Sequence, residues 1–301
     1  MTALKPINFL NRNKKAIKTV FQLLGILSIF LIFKDLFRQV SIKDASTITL
    51  HLFLISLLLQ FFGKCSVALS WIYILKMSGV KGIKSIDIFI NYSQTEVGKY
   101  LPGNVMHLVS RQIIFEKMTK SSKKVFQCIY TELFFYLISF SIFILLSFQP
   151  TFSSSEYLLH LKFTATLIVI SLIATLLLKS KKIIEIDYRY LAPAFIGYFI
   201  FATCLILSFY YSVNAILDNT QLPLEQYAFS SSLSWLVGFV APGLPGGIGI
   251  RDLVLLKTIE SSITSSSLPL IIITFRVVSI LGDVFLYLFG SILEKLWGTK
   301  K

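Results

Sequence analysis

Six stretches of the chain stay apolar for long enough to cross a bilayer: residues 16–33, 48–75, 124–148, 160–178, 191–211 and 268–293. A helix rises about 1.5 Å per residue and needs about 20 residues to cross, so these runs predict six full transmembrane helices. Two further apolar regions, 86–118 and 225–260, are each interrupted at the middle, by KYLPGN at 99–104 and by APGLPGG at 241–247. Proline removes a helical N–H and glycine weakens a helix, so each region divides into arms of about 13 to 17 residues, roughly 20 to 25 Å long. Such arms are shorter than the ~30 Å hydrocarbon core. The pattern predicts re-entrant helical hairpins that enter and leave on one side, with eight short or tilted transmembrane segments as the alternative. The expected fold is an all-α polytopic membrane protein, one membrane domain over residues 1–301.

Charge orients these elements, because lysine and arginine favour cytoplasmic loops. Lys5, Arg12, Lys14, Lys15 and Lys18 stand ahead of FQLLGILSIFLIF in the first run with no acidic residue among them, which puts the N-terminus inside. This start mimics a signal peptide, but no small-residue cleavage site follows it, so it is expected to remain as an uncleaved first span. Lys76, Lys81 and Lys84 mark the next inside loop, and Arg111, Lys117, Lys120, Lys123 and Lys124 mark the return of the first hairpin. Lys179, Lys181, Lys182 and Arg189 mark a third inside loop, and Lys295, Lys300 and Lys301 an inside C-terminus. Loops 149–159, 212–226 and 261–267 contain no lysine or arginine and fall outside. The first hairpin therefore enters from the cytoplasm and the second from outside. Units 48–148, with hairpin 86–118, and 191–293, with hairpin 225–260, then form an inverted repeat. Leu101-Pro102-Gly103 against Leu244-Pro245-Gly246 is the sequence identity between them.

Composition narrows the function classes. Hydrophobic residues make up 55% of the 301, with 27 phenylalanines, too many for the surface of a soluble domain. The formal net charge of +14 sits in short clusters between apolar runs, which is loop marking, so no nucleic-acid partner is expected. Cys65, Cys128 and Cys204 stand alone in apolar runs and read as packing residues. Without metal-ligand spacing, a nucleotide-binding GxxxxGK[ST] loop or a Ser/His/Asp arrangement, no cofactor, metal or enzymatic activity is expected.

Candidate chemistry lies at the two tips. A helix that restarts after a break presents free N–H groups and a partial positive charge, suited to phosphate or carboxylate. The first outgoing arm restarts near Asn104, after Pro102 and Gly103; the second restarts near Gly247, where Pro245, Gly246 and Gly247 admit a headgroup close to the backbone. Lys99, Arg111 and Arg251 add full charges there, arginine being suited to bidentate phosphate contact. His107 follows the first tip, either as a headgroup contact, a proton carrier or a satisfied interior histidine.

Charges at membrane depth are a second signal: Lys64, Lys99, Arg251, Lys257 and Arg276 with Glu96, Glu132, Asp252, Glu260 and Asp283. At ~2.5 to 3.5 kcal/mol each, ten unpaired charges would cost on the order of 30 kcal/mol, well above a net stability of ~5 to 15 kcal/mol. They must be paired or line a wet cavity. Glu96 with Lys99 and Lys257 with Glu260 are spaced for intrahelical pairs, and Arg276 and Asp283 share a helix face expected to line the cavity.

At KYLPGNVMHLVSR (99–111) and LPGGIGIRD (244–252) the sequence resembles the flippase-like transmembrane domain of the lysylphosphatidylglycerol synthase family, with Asp252 where an Arg-Glu pair is common. The resemblance implies a prokaryotic plasma-membrane protein that moves anionic or modified lipids between leaflets. The family's short forms lack the soluble synthase domain, and the resemblance to them implies that none is expected here. Short forms are often linked to surface polysaccharide pathways, which adds a polyprenyl-phosphate-linked glycolipid to the expected cargoes. The competing readings are a membrane-embedded transferase using a polyprenyl-phosphate donor, and a non-transporting partner of a polysaccharide assembly complex.

Overall fold

The computed structural model describes residues 48–101, 105–147, 187–217, 222–240, 247, 249–259, 263 and 267–297. The described residues contain eight α-helices and no strand. In chain order these are α1 Leu50–Met77, α2 Ser85–Glu96, α3 Met106–Thr119, α4 Ser122–Leu146, α5 Leu191–Asn214, α6 Leu224–Val240, α7 Ile250–Ile259 and α8 Leu268–Trp297. Four segments, Leu50–Met77, Ser122–Leu146, Tyr188–Asn214 and Leu268–Trp297, are long and apolar enough to cross a membrane. The chain is a multi-pass, all-α membrane protein. The expected spans at 16–33 and 160–178 lie outside the described residues.

Both interrupted regions are split into paired short helices. In the first, α2 runs into a 3-10 turn at Val97–Tyr100 before α3 begins at Met106. Lys120 then takes a left-handed conformation that ends α3, and the Ser121 hydroxyl accepts from the Lys124 N–H at 3.3 Å to start α4. In the second, the outgoing arm is shorter than its hydropathy predicts. Gly247 and Gly249 both adopt positive φ (72° and 87°), so helical geometry begins only at Ile250.

Packing begins with α1 against α5, which run antiparallel: Ser56 lies beside Ser208 and Ser212, Gly63 beside Cys204, and Ser70 beside Gly197. Lipid tails are as apolar as leucine, so helices in a membrane associate through close backbone approach and interhelical hydrogen bonds. Ser56, Gly63 and Ser70 recur every seven residues on one face of α1 and provide that approach. A Cβ on Gly63 would come within 2.9 Å of the Cys204 side chain, and the Ser56 hydroxyl bonds the Ser208 carbonyl at 2.8 Å. Away from this face, Leu54, Leu58, Phe62 and Leu69 are exposed, as expected of a lipid-facing surface.

The remaining helices pack in matched pairs around the α1/α5 axis. α8 packs on α1 and α2, as α4 packs on α5 and α6; α2 touches α1 and α3, as α6 touches α5 and α7. Exchanging α1–α4 for α5–α8 leaves the pattern of helix neighbours unchanged. At one end of the bundle the Asp187 N–H bonds the Met77 carbonyl at 2.9 Å, and Lys124 reaches the Gly79 carbonyl. At the other end, Thr49 N–H bonds the Ala215 carbonyl at 2.7 Å.

Candidate functional site

The first hairpin carries a chain of buried ion pairs. Arg111, on α3, is fully buried and places its guanidinium over the Tyr92 ring, 3.8 Å from the centroid, with Trp71 at 5.2 Å. One guanidinium nitrogen donates to Glu132 on α4 and the other to Glu96 on α2, the latter at 2.8 Å. The Tyr92 hydroxyl donates to the other Glu132 oxygen at 2.7 Å. Glu96 also pairs with Lys99 at 2.9 Å, and Lys99 continues to Asp283 on α8 at 2.8 Å. Asp283 in turn receives Lys64 of α1 at 2.8 Å and the Tyr100 hydroxyl at 2.5 Å. Removing one partner of a buried pair costs about 3 to 5 kcal/mol, so this chain fixes α1, α2, α3, α4 and α8 relative to one another.

The second hairpin is simpler. Arg276 on α8 donates through two nitrogens to both oxygens of Asp252, near the start of α7. Asp252 also accepts from the Gly249 N–H at 3.1 Å, satisfying a free donor of the helix start.

Arg251 is different. Among the described residues no carboxylate pairs with it, and its Nε is buried without a hydrogen-bond partner. Its guanidinium lies 5.5 Å from the Trp235 ring centroid. Room for the side chain comes from Gly238 on α6, where a Cβ would collide with the Arg251 stem, and from Gly247, where a Cβ would sit 2.9 Å from Nε. Ser234 holds the backbone in place by donating to the Arg251 carbonyl at 2.7 Å.

Two clefts meet at this arginine. One, about 720 Å³ including its mouth, is bounded by Lys64, Glu96, Lys99, His107 and Glu132 and by an aromatic wall that includes Tyr136 and Trp235. The other, about 560 Å³, is bounded by Tyr100, Ser231, Asp252, Phe275 and Arg276. Arg251, Trp235, Leu205 and Ser279 belong to both. A cation without a counter-ion, on the wall between two polar and aromatic clefts, is suited to hold an anion.

The structure thus brings several sequence candidates together. Lys99, Glu96, His107 and Arg251 line one cleft; Arg251, Asp252 and Arg276 line the other. His107 is buried with Nδ1 unpartnered, its backbone packed against Gly98. Arg111 lines neither cleft; its fork is occupied by Glu96 and Glu132. Asp283 is fully buried and saturated by three donors. Arg276 and Asp283 serve separate pairs although they share a helix. Gly247 is described, whereas Pro102, Gly103, Asn104, Pro245, Gly246 and Glu260 lie outside the described residues.

Sequence reasoning passed over Trp235, Gly238 and Tyr92. Trp235 sits well inside α6, and Ser231, Ser234, Trp235 and Gly238 recur at helical spacing on one face. That stripe of small and polar residues in an apolar arm was the available signal.

The fold and site define a membrane protein with charged clefts between paired helical hairpins. No protein-family model matches the chain, and no curated protein matches it significantly.

Proposed function

We propose that the protein is a flippase-like translocator that moves an anionic lipid, either a phospholipid or a polyprenyl-phosphate-linked glycolipid, between leaflets. The observation that carries this reading is Arg251, a cation with no carboxylate partner among the described residues, on the wall shared by both clefts. Lys99 and His107 approach the same cleft from the first hairpin and add donors. Arg111 acts at a distance, holding α3 against α2 and α4 so that His107 keeps its place.

The inverted repeat supports alternating access. Antiparallel α1 and α5, and a neighbour pattern that survives exchange of the two halves, are what two related units of opposite orientation produce. Lys76, Lys84, Lys124 and Arg189 gather near the end where Asp187 meets Met77, which makes that end cytoplasmic by the positive-inside rule. The hairpins then enter from opposite faces, and the residues flanking their tips converge on Arg251. The likeness of both motif segments to the flippase-like domain of the lysylphosphatidylglycerol synthase family points the same way, in a prokaryotic plasma membrane.

The test is leaflet exchange in vesicles. Purified protein reconstituted at low density should accelerate exchange of labelled phosphatidylglycerol or a polyprenyl-phosphoryl sugar above the protein-free rate, with no covalent product. No acceleration for any anionic lipid, or release of a transferred sugar, would overturn the reading in favour of a scaffold or a transferase respectively.

A further inference from the structure

The ionisable groups around the two clefts nearly cancel. Among the described residues, four carboxylates each have a cation: Glu132 with Arg111, Glu96 with Lys99, Asp283 with Lys64, and Asp252 with Arg276. Arg251 remains. The tip residues 102–104, 241–246 and 248 contain no ionisable side chain, so they add nothing to this balance. The site therefore presents one positive charge in surroundings where an uncompensated second charge of either sign is costly.

Three hydroxyls near Arg251 are also engaged. Ser234 donates to the Arg251 carbonyl and Ser231 to the Tyr227 carbonyl, both at 2.7 Å. Tyr100 is committed to Asp283, and Arg276 spends its fork on Asp252. A headgroup with a second negative charge would meet no second uncompensated cation and would face the carboxylates of Glu96 and Asp252.

We infer that the site selects lipids whose phosphate is a singly charged diester and discriminates against phosphomonoesters and diphosphates. A diester carries one negative charge at pH 7, whereas a monoester carries about 1.5 to 2 because its second pKa lies near 6. One guanidinium fork matches the two free oxygens of a diester. This selection rests on the translocator reading and divides its cargoes by charge: phosphatidylglycerol and polyprenyl-phosphoryl sugars fall inside it, polyprenyl-diphosphate sugars outside.

Competition binding tests this directly. Full-length protein in detergent is loaded with fluorescent phosphatidylglycerol and displaced by unlabelled phosphatidylglycerol, a polyprenyl-phosphoryl hexose, phosphatidic acid, a polyprenyl diphosphate or inorganic phosphate. The two diesters should compete within about threefold of each other and at least tenfold better than phosphatidic acid and the diphosphate. Inorganic phosphate should not compete, which separates a lipid site from a free-phosphate site. Asp252→Asn keeps an acceptor for the Gly249 N–H but frees Arg276, and should raise the relative affinity of the doubly charged lipids at least tenfold. Should that variant fail to fold, the wild-type series decides alone. Equal or tighter binding of phosphatidic acid or the diphosphate, with binding still dependent on Arg251, overturns the selection and leaves the translocator reading standing. Failure of every anionic lipid to bind removes both.

Discussion

Replacing Asp283 with asparagine removes charge at the point where α1, the 3-10 turn and α8 are tied together. The carboxylate is fully buried; one oxygen receives Lys64 and Lys99, each at 2.8 Å, and the other receives the Tyr100 hydroxyl at 2.5 Å. Asparagine fits the space but turns an N–H₂ group toward one of these donors. Lys99 keeps Glu96 as a partner, whereas Lys64 keeps only the Ser279 carbonyl, at 2.5 Å. An unpaired buried cation costs about 3 to 5 kcal/mol, and a lost hydrogen bond to a buried group costs about 1 to 3 kcal/mol more if nothing relaxes. With partial relaxation we expect a loss of ~4 kcal/mol, which lowers the unfolding temperature by roughly 8 °C at about 2 °C per kcal/mol for a large domain. Thermal unfolding in detergent, followed by loss of the monodisperse size-exclusion peak, measures this. Adding Lys64→Met removes the stranded cation and should restore about half of the loss, a coupling of ~2 kcal/mol between contacting residues. An Asp283→Asn protein within about 2 °C of wild type, or a double variant no more stable than the single one, would refute the buried pair.

Three further outcomes follow from the same geometry. Arg111→Lys keeps charge but loses the fork onto Glu96 and Glu132 and the stack on Tyr92, so its effect should be a lower unfolding temperature, with residual binding in proportion to folded protein; full stability with lost binding would assign Arg111 to the headgroup instead. Gly238→Ala drives a methyl into the Arg251 stem and should weaken anionic-lipid binding about tenfold while the protein stays folded, since a flexible side chain can move aside; unchanged affinity would mean that Arg251 is not held against α6. A cysteine at Ser121, in a chain stripped of Cys65, Cys128 and Cys204, should react with an impermeant thiol reagent only after cells are permeabilised, and labelling in intact cells would reverse the orientation of the first hairpin.

Much of the scaffold is legible in the sequence because the bilayer imposes a length on every span. The runs at 48–75, 124–148, 191–211 and 268–293 correspond to the four long apolar helices, and Leu-Pro-Gly marks where two shorter regions divide. The need to pair charges at membrane depth is legible too, since the cost of leaving them unpaired exceeds the stability of a fold. Which charge meets which is not. Lys99 and Asp283 are 184 residues apart, and Arg111 finds Glu132 on the following helix. Position after a tip gives Arg111 and Arg251 the same expectation; burial between Tyr92 and two carboxylates ties one into the framework, and Gly238 and Trp235 leave the other open to the clefts. That distinction depends on which side chains of α6 meet Arg251, where Gly238 makes room for its stem and Trp235 lies beside its guanidinium.

The claim that Arg251 holds the anionic headgroup is tested most directly by lipid binding to Arg251→Gln. Native mass spectrometry of wild-type protein titrated with phosphatidylglycerol should show one saturable lipid, and the glutamine variant, folded and with every ion pair intact, should bind it at least tenfold more weakly, a loss of about 1.4 kcal/mol or more. Phosphatidylglycerol bound equally well by the folded variant would show that the headgroup rests elsewhere and that the unpaired arginine is not the site.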